Sequence, residues 1–244
     1  MSSAQHATCP HNNAVTCGDC RLSSICLPIS VHIDDIEKID SIVKRGRPLQ
    51  KGDYLFRAGD VFSSVYAVRS GSIKSLTLSD TGEEQITGFF LPGEVMGLDG
   101  IGHSKHTNSA IALETSAVCE IPFTQMTELS LKLPSLQNHF FQLMSREITH
   151  EQQLVTLLSK NTAEERVASL LLSISSRHQR RQLSGTRFRL SMSRADIGSF
   201  LGLTVETVSR VFSRLQKLGV IEVDKKEIDV KDLDLLKASA SSSH

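Results

Sequence analysis

Three textures of apolar and polar positions follow one another along the chain. Between Pro48 and Phe123, short runs rich in β-branched and aromatic residues alternate with glycine turns. The runs are Tyr54-Leu-Phe, Ser64-Val-Tyr-Ala-Val-Arg, Ser72-Ile-Lys-Ser-Leu-Thr-Leu, Glu84-Gln-Ile-Thr-Gly-Phe-Phe-Leu and Ser116-Ala-Val-Cys-Glu-Ile. Lys51-Gly-Asp, Ala58-Gly-Asp, Ser70-Gly-Ser, Thr81-Gly-Glu and Pro92-Gly-Glu punctuate them. Many short strands at regular spacing with Gly/Asp turns predict a small barrel or jelly roll. After Pro134 the period turns helical. Gln137, Phe141, Met144, Ile148, Glu151, Val155 and Leu158 fall at alternating steps of four and three, the a/d seam of a heptad, which keeps one stripe facing a partner helix. A helix of about 24 residues is about 36 Å long. A small barrel cannot cover that length, so the seam points to a second copy of the chain. Glu151 is the odd member. In a symmetric pair two such carboxylates face each other, which makes association weak and conditional.

The third texture carries helix signals at close quarters. Thr162-Ala-Glu-Glu165 is a capping box ahead of Val167, Leu170, Leu171 and Ile174. Ser193 is an N-cap for a helix bearing Ile197, Phe200 and Leu201. Gly202 supplies backbone freedom at a turn, and Thr204 caps a further helix with Val205, Val208, Phe212 and Leu215 on one face. Gly219 stops that helix. Val220-Ile-Glu-Val, a polar Asp-Lys-Lys turn and Ile228-Asp-Val then form a hairpin, the wing of a winged helix. Earlier in the chain, a short amphipathic helix is expected from Ile33 to Val43.

Helix, glycine turn, helix is the arrangement that lays its second helix in the DNA major groove. Glu206, Ser209 and Arg210 occupy the stretch that meets base edges. Arg210 suits guanine O6/N7, Glu206 suits cytosine N4, and Ser209 suits several partners. Arg194, Arg214 and Lys217 are expected on phosphates, which position without reading sequence. Charge agrees. The formal net charge is zero, yet residues 160–220 hold eleven Lys and Arg against four Asp and Glu, a balance of +7. Such asymmetry is a cue for a nucleic-acid-binding module.

Length and composition exclude several classes. With 244 residues the chain can bury a core and form two domains. No run of about 18 apolar residues exists, so no membrane span is expected. The start Met-Ser-Ser-Ala-Gln-His is no secretory signal, so a cytoplasmic protein is expected. No Ser/His/Asp order, phosphate-binding glycine loop or H-E-x-x-H occurs, and an enzyme is not expected. His103 and His106 lie in a glycine-rich loop and are expected to be exposed turn residues.

Three of the five cysteines lie in Cys17-Gly-Asp-Cys-Arg-Leu-Ser-Ser-Ile-Cys26, spaced C-x2-C-x5-C. In a cytoplasmic chain, clustered cysteines point to metal or redox chemistry. A tetrahedral or cubane site needs a fourth ligand, for which Cys9, Cys119, His6 and His11 are candidates. Spacing alone leaves zinc and iron–sulfur open. The absence of a second knuckle leans toward iron–sulfur. Cys119, in an apolar strand, also reads as a small core residue.

Taken together, Arg69-Ser-Gly-Ser-Ile-Lys, Gly82-Glu-Glu-Gln-Ile-Thr-Gly-Phe, Leu113-Glu-Thr-Ser-Ala-Val-Cys-Glu-Ile-Pro-Phe and Leu201-Gly-Leu-Thr-Val-Glu-Thr-Val-Ser-Arg resemble the CRP/FNR family of bacterial transcription regulators, in particular its oxygen-responsive members. The resemblance runs from the cysteine arm nearly to Ile228. It implies an α+β chain with a cyclic-nucleotide-binding-like β jelly roll, a long dimerisation helix and a C-terminal winged helix-turn-helix. It implies a [4Fe–4S] cluster on Cys17, Cys20, Cys26 and Cys119, with Cys9 outside the site. It also implies that Glu206, Ser209 and Arg210 read palindromic double-stranded DNA with TTGAT-like half-sites, and that RNA polymerase meets the Ser79–Glu84 turn. Arg21 stands where related chains carry serine and is expected to alter the cluster's lifetime in air. Asn108-Ser-Ala replaces the Arg-Ser/Thr pair that holds a cyclic phosphate, so no cyclic-nucleotide binding is expected.

The resulting plan has five parts. Residues 1–30 form a cluster-binding arm, 31–133 a β-roll, 134–159 a homodimer helix, 160–236 the DNA-binding domain and 237–244 a disordered tail. An oxygen-labile cluster that promotes dimerisation is the expected mechanism. A zinc-stabilised or redox-responsive repressor of the same fold is the alternative.

Overall fold

Glycine turns and β-branched runs break the first half of the chain into short strands. These are β1 (Lys44–Arg45), β2 (Tyr54–Phe56), β3 (Ser64–Ser70), β4 (Ile73–Leu78), β5 (Glu84–Phe90), β6 (Val95–Met96), β7 (Ser109–Ala112) and β8 (Ala117–Pro122). The structure is a computed structural model that describes residues 15–26, 33–79 and 82–241. The strands form two four-stranded sheets, ordered β1-β8-β3-β6 and β2-β7-β4-β5. β3 pairs antiparallel with β8 and with β6, and β8 pairs antiparallel with β1. Phe56, Val68, Ile73, Met96 and Ala110 pack between the sheets, with Tyr66, Phe90 and Val118 around them.

Helix α1 (Ile33–Ile42) packs on α2 (Phe123–Lys132) and buries Ile39. Helix α3 (Pro134–Lys160) opens on proline, whose missing N–H is no loss at a first helical position. The chain divides into two compact units, residues 1–75 with 89–140 and residues 76–88 with 141–244.

The second unit contains α4 (Ala163–Arg180), β9 (Arg187–Arg189), α5 (Arg194–Leu201), α6 (Val205–Lys217), β10 (Ile221–Asp224), β11 (Glu227–Val230) and α7 (Leu233–Ala240). Thr162 and Glu165 form the capping box of α4, and Ser193 forms another with Asp196 at α5. Gly202 sits at φ 63°, in the left-handed region that the tight turn between α5 and α6 needs. Thr204 caps α6 through the Thr207 amide. Arg166 ties these parts together. Its guanidinium donates to the carbonyls of Leu158, Asn161 and Leu201, on α3, the α3–α4 link and α5. The wing hairpin pairs Ile221 with Val230 and Asp224 with Glu227, and β9 joins it as a third strand.

Three expectations are corrected. Residues 237–240 belong to α7 and not to a disordered tail. Asp232 caps that helix through the Leu235 amide, and Leu236 is fully buried where α7 packs on α4. His106 is no exposed turn residue. It is buried, stacked on Phe56 at 3.7 Å between ring centroids, and it faces Asp99. Val205 is exposed, and Val211 takes its place on the buried face of α6.

Candidate functional site

The described part of the cysteine arm folds by local turns. The Ser23 amide donates to Cys20 O, and the Ile25 and Cys26 amides donate to Leu22 O. Leu22 is buried under the arm. Ile25 packs on Gly93, where a Cβ would lie 2.5 Å from its Cδ1. Gly93 sits at φ 90°, a left-handed conformation that a side chain would strain.

This folding brings Cys17, Cys20 and Cys26 round one cavity with Cys119 of β8. The cavity is also walled by Leu22, Ile39, Val43, Ala67, Val68 and Ile121, and by two cations, Arg45 of β1 and Arg69 of β3. All four cysteines are free thiols, partly buried. Cys119 sits opposite Arg45 in the β1–β8 register and opposite Ala67 in the β3–β8 register. Asp40 on α1 accepts from the Cys17 amide at 2.7 Å and from Arg45 Nη2. The same Arg45 nitrogen lies 3.6 Å from Cys17 Sγ.

Burial pushes the Cys17 thiol well up, with Asp40 adding to it and Arg45 opposing. Burial also raises Cys119, against Arg45 and Arg69. Burial works against the charge on Asp40, but the Cys17 amide and Arg45 hold its carboxyl below the usual range. Arg21 is exposed and does not line the cavity. Cys9, His6 and His11 lie outside the described residues. The roles of Asp40, Arg45 and Arg69 were not visible in the sequence. Only strand register and the α1 packing bring them to the thiols.

On α6, Glu206, Ser209, Arg210, Ser213, Arg214 and Lys217 are all exposed on one side. Val208, Val211, Phe212 and Leu215 are buried on the other. Ser209 Oγ donates to its own helix at Val205 O, 2.8 Å away. Arg214 pairs with Glu164 of α4 at 3.1 Å. Arg194 is half-buried, its guanidinium 3.3 Å above the Phe212 ring. It therefore pins α5 to α6 through a cation–π contact.

On α3, Phe141, Ile148 and Val155 are 56%, 55% and 67% exposed, and Glu151 is exposed among them. Met144 and Leu158 are half-buried. Near the β4–β5 turn, the Ile86 amide donates to Ser199 Oγ at 3.0 Å, Ser199 Oγ donates to Glu84 O, and Gln85 donates to Ser199 O. Asp80 and Thr81 of that turn lie outside the described residues.

Asp99 closes the loop that precedes β7. Its Oδ2 accepts from the Thr107 amide at 2.7 Å and the Asn108 amide at 2.9 Å, and Oδ1 faces His106 Nδ1 at 3.3 Å. Burial opposes its charge, but the Asn108 amide, His106 and the Thr107 amide hold its carboxyl below the usual range. A value lower in the folded than in the unfolded chain means that Asp99 stabilises the fold above pH about 4. That contribution fades as the pH falls through the lower folded-state value. Asp99→Ala leaves two amides without their acceptor and is expected to cost about 1–3 kcal/mol at pH 7. Its melting temperature should also depend less on pH below about 5. Thermal melts of the two proteins from pH 3 to 7 check this, and coincident curves would refute it.

A small antiparallel β-roll, a long helix and a winged helix-turn-helix define a DNA-binding transcription regulator, not an enzyme. The Crp-like helix-turn-helix domain matches residues 165–239 and the cyclic nucleotide-binding domain matches residues 46–132. The chain belongs to the CRP/FNR family of transcription regulators. It is 54% identical to the transcriptional activator protein Anr of Pseudomonas protegens, over 96% of this chain and 95% of that one. It is 47% identical to the fumarate and nitrate reduction regulatory protein of Salmonella typhimurium, over 93% and 91% respectively. Among solved structures, FixK2 from Bradyrhizobium japonicum superposes with a TM-score of 0.76 at 27% identity, covering 83% of this chain and all of FixK2. No helix among the described residues is long and apolar enough to cross a membrane.

Proposed function

We propose that this protein is an oxygen-responsive regulator of anaerobic metabolism genes, in which Cys17, Cys20, Cys26 and Cys119 hold a [4Fe–4S] cluster. The single observation that carries this reading is the gathering of four free thiols, three from the arm and one from β8, round one cavity. Zinc demands four donors about 2.0–2.3 Å from one point. One cysteine arm with no second knuckle suits a cluster better than the zinc of the alternative reading. Such a cluster supplies an oxygen-labile link between arm and β-roll.

The chain's own residues do the rest. Cys119 ties the arm to β8, and Leu22 and Ile25 seat it. Fixing the arm favours pairing of α3 with its counterpart in a second copy, through Phe141, Met144, Ile148, Val155 and Leu158. Glu151 opposes that pairing, so the dimer falls apart once the arm is released. In the dimer, two α6 helices meet half-sites one DNA turn apart. Glu206, Ser209 and Arg210 face TTGAT-like sequences, with Lys217, Arg214 and Arg194 toward phosphates. Dimerisation doubles the contacts, so a modest shift in association becomes a large shift in occupancy. The Ser79–Glu84 segment, whose Ser79, Glu83 and Glu84 are exposed, is the proposed contact for RNA polymerase, by family analogy. Charge reversal at Glu83 should abolish activation while leaving DNA binding intact.

No cyclic nucleotide is expected to bind. Asn108 offers no cation to a phosphate, and the Asp99 carboxylate already occupies the Thr107 and Asn108 amides. The β-roll interior beside it is filled by Phe56, Tyr66 and His106.

Anaerobic purification followed by visible spectroscopy and iron, zinc and sulfide analysis tests the reading. A coloured protein with iron and sulfide supports it, and a colourless, iron-free one removes it. Glu151→Ala should give a dimer that persists in air, read by gel filtration. An air-exposed variant still eluting as monomer would remove the seam argument.

A further inference from the structure

Among the described residues, two arginines and no carboxylate line the cavity that the four cysteines share. Arg69 is 6% exposed, and the Arg45 side chain is 13% exposed. Burying a cation is costly unless an anion answers it. Asp40 answers Arg45, but it also accepts the Cys17 amide and faces the Cys17 thiol. The Arg45 Nε is buried with no hydrogen-bond partner among the described residues, which is rare for so strong a donor. With four neutral thiols the buried Arg45 Nε has no acceptor. With four thiolates round an iron–sulfur core, whose net charge is negative, the same wall is matched.

We propose that Arg45 and Arg69 are the counter-charges of the thiol centre, and that Arg45 also orients Cys17. This rests on the iron–sulfur reading above and deepens it. Charge and hydrogen bonds near a cluster's sulfurs set its reduction potential and its retention. Reduction adds negative charge to the centre, so removing a neighbouring cation makes reduction harder. Arg45 has a second duty. Its Nη2 bridges Asp40 on α1 and Cys17 Sγ on the arm. Lysine could keep the charge, but its single ammonium cannot stand in for both the bridging Nη2 and the buried Nε.

The test uses full-length protein reconstituted without oxygen from ferrous iron and sulfide. Wild type, Arg69→Met, Arg45→Met and Arg45→Lys are compared by mediated redox titration of the visible absorbance and by the rate of iron loss to a chelator. Both methionine variants should shift the midpoint to more negative potential and lose iron several-fold faster. Arg45→Lys should keep the wild-type midpoint yet lose iron faster than wild type. Methionine variants with the wild-type midpoint and retention overturn the proposal. If Arg45→Met fails to fold by circular dichroism, Arg69→Met and Arg45→Lys decide alone. Wild type that takes up neither iron nor sulfide overturns the functional reading itself, which separates that failure from this one.

Discussion

Cys119→Ser is expected to leave the protein folded but unable to hold iron and sulfide. The residue is half-buried on β8, between β1 and β3, and serine is close to cysteine in size. The stability change should therefore stay near 1 kcal/mol or below, in the range of substitutions away from a packed core. The chemical change is much larger. A hydroxyl is a far poorer ligand to iron than a thiolate, and the arm loses its only thiol anchor on the β-roll. Anaerobic iron content should fall close to zero, with the gel-filtration profile that of air-exposed wild type. Cys9→Ser serves as the contrast and should load like wild type. Full loading of Cys119→Ser would remove Cys119 from the site.

Arg210→Ala carries the second large effect. Each bidentate arginine–guanine contact is worth about 1–3 kcal/mol of discrimination. A palindrome presents the contact twice, so the loss for a dimer is about 2–6 kcal/mol. Discrimination at the guanine should relax while the salt dependence of binding changes little. Lys217→Ala should do the reverse, weakening binding to every sequence and lowering the salt slope by about one per chain. Arg214→Ala should fall below Lys217→Ala, because Glu164 already neutralises part of the Arg214 charge. Operator binding by native gel or anisotropy at several salt concentrations separates the three. Equal losses on matched and mismatched operators for Arg210→Ala would take that residue out of base reading.

The helix-turn-helix could be read from sequence because its determinants are local. Ser193, Gly202, Thr204 and Gly219 act within a turn or two of themselves, through caps and left-handed backbone. The same holds for the Thr162 capping box and for the turn between β10 and β11. A 3.6-residue or heptad period needs no knowledge of the partner to be seen. It says which stripe is apolar, and on α3 Phe141, Ile148 and Val155 of that stripe are exposed.

What the amino-acid order determined by itself was therefore the succession of strands and helices, the face of α6 turned outward and the presence of three closely spaced thiols. Tertiary structure alone decided which distant groups join them. Cross-strand register sets Arg45 opposite Cys119, and packing of α1 carries Asp40 to Cys17. Burial of Leu236 against α4 carries a helix through residues 237–240, whose composition reads as disordered. Stacking on Phe56 draws His106 inside from a loop that reads as exposed. The physical reason is common to all four. Caps and periodicity are properties of neighbouring residues, whereas burial and charge pairing belong to surfaces that exist only after remote segments have met.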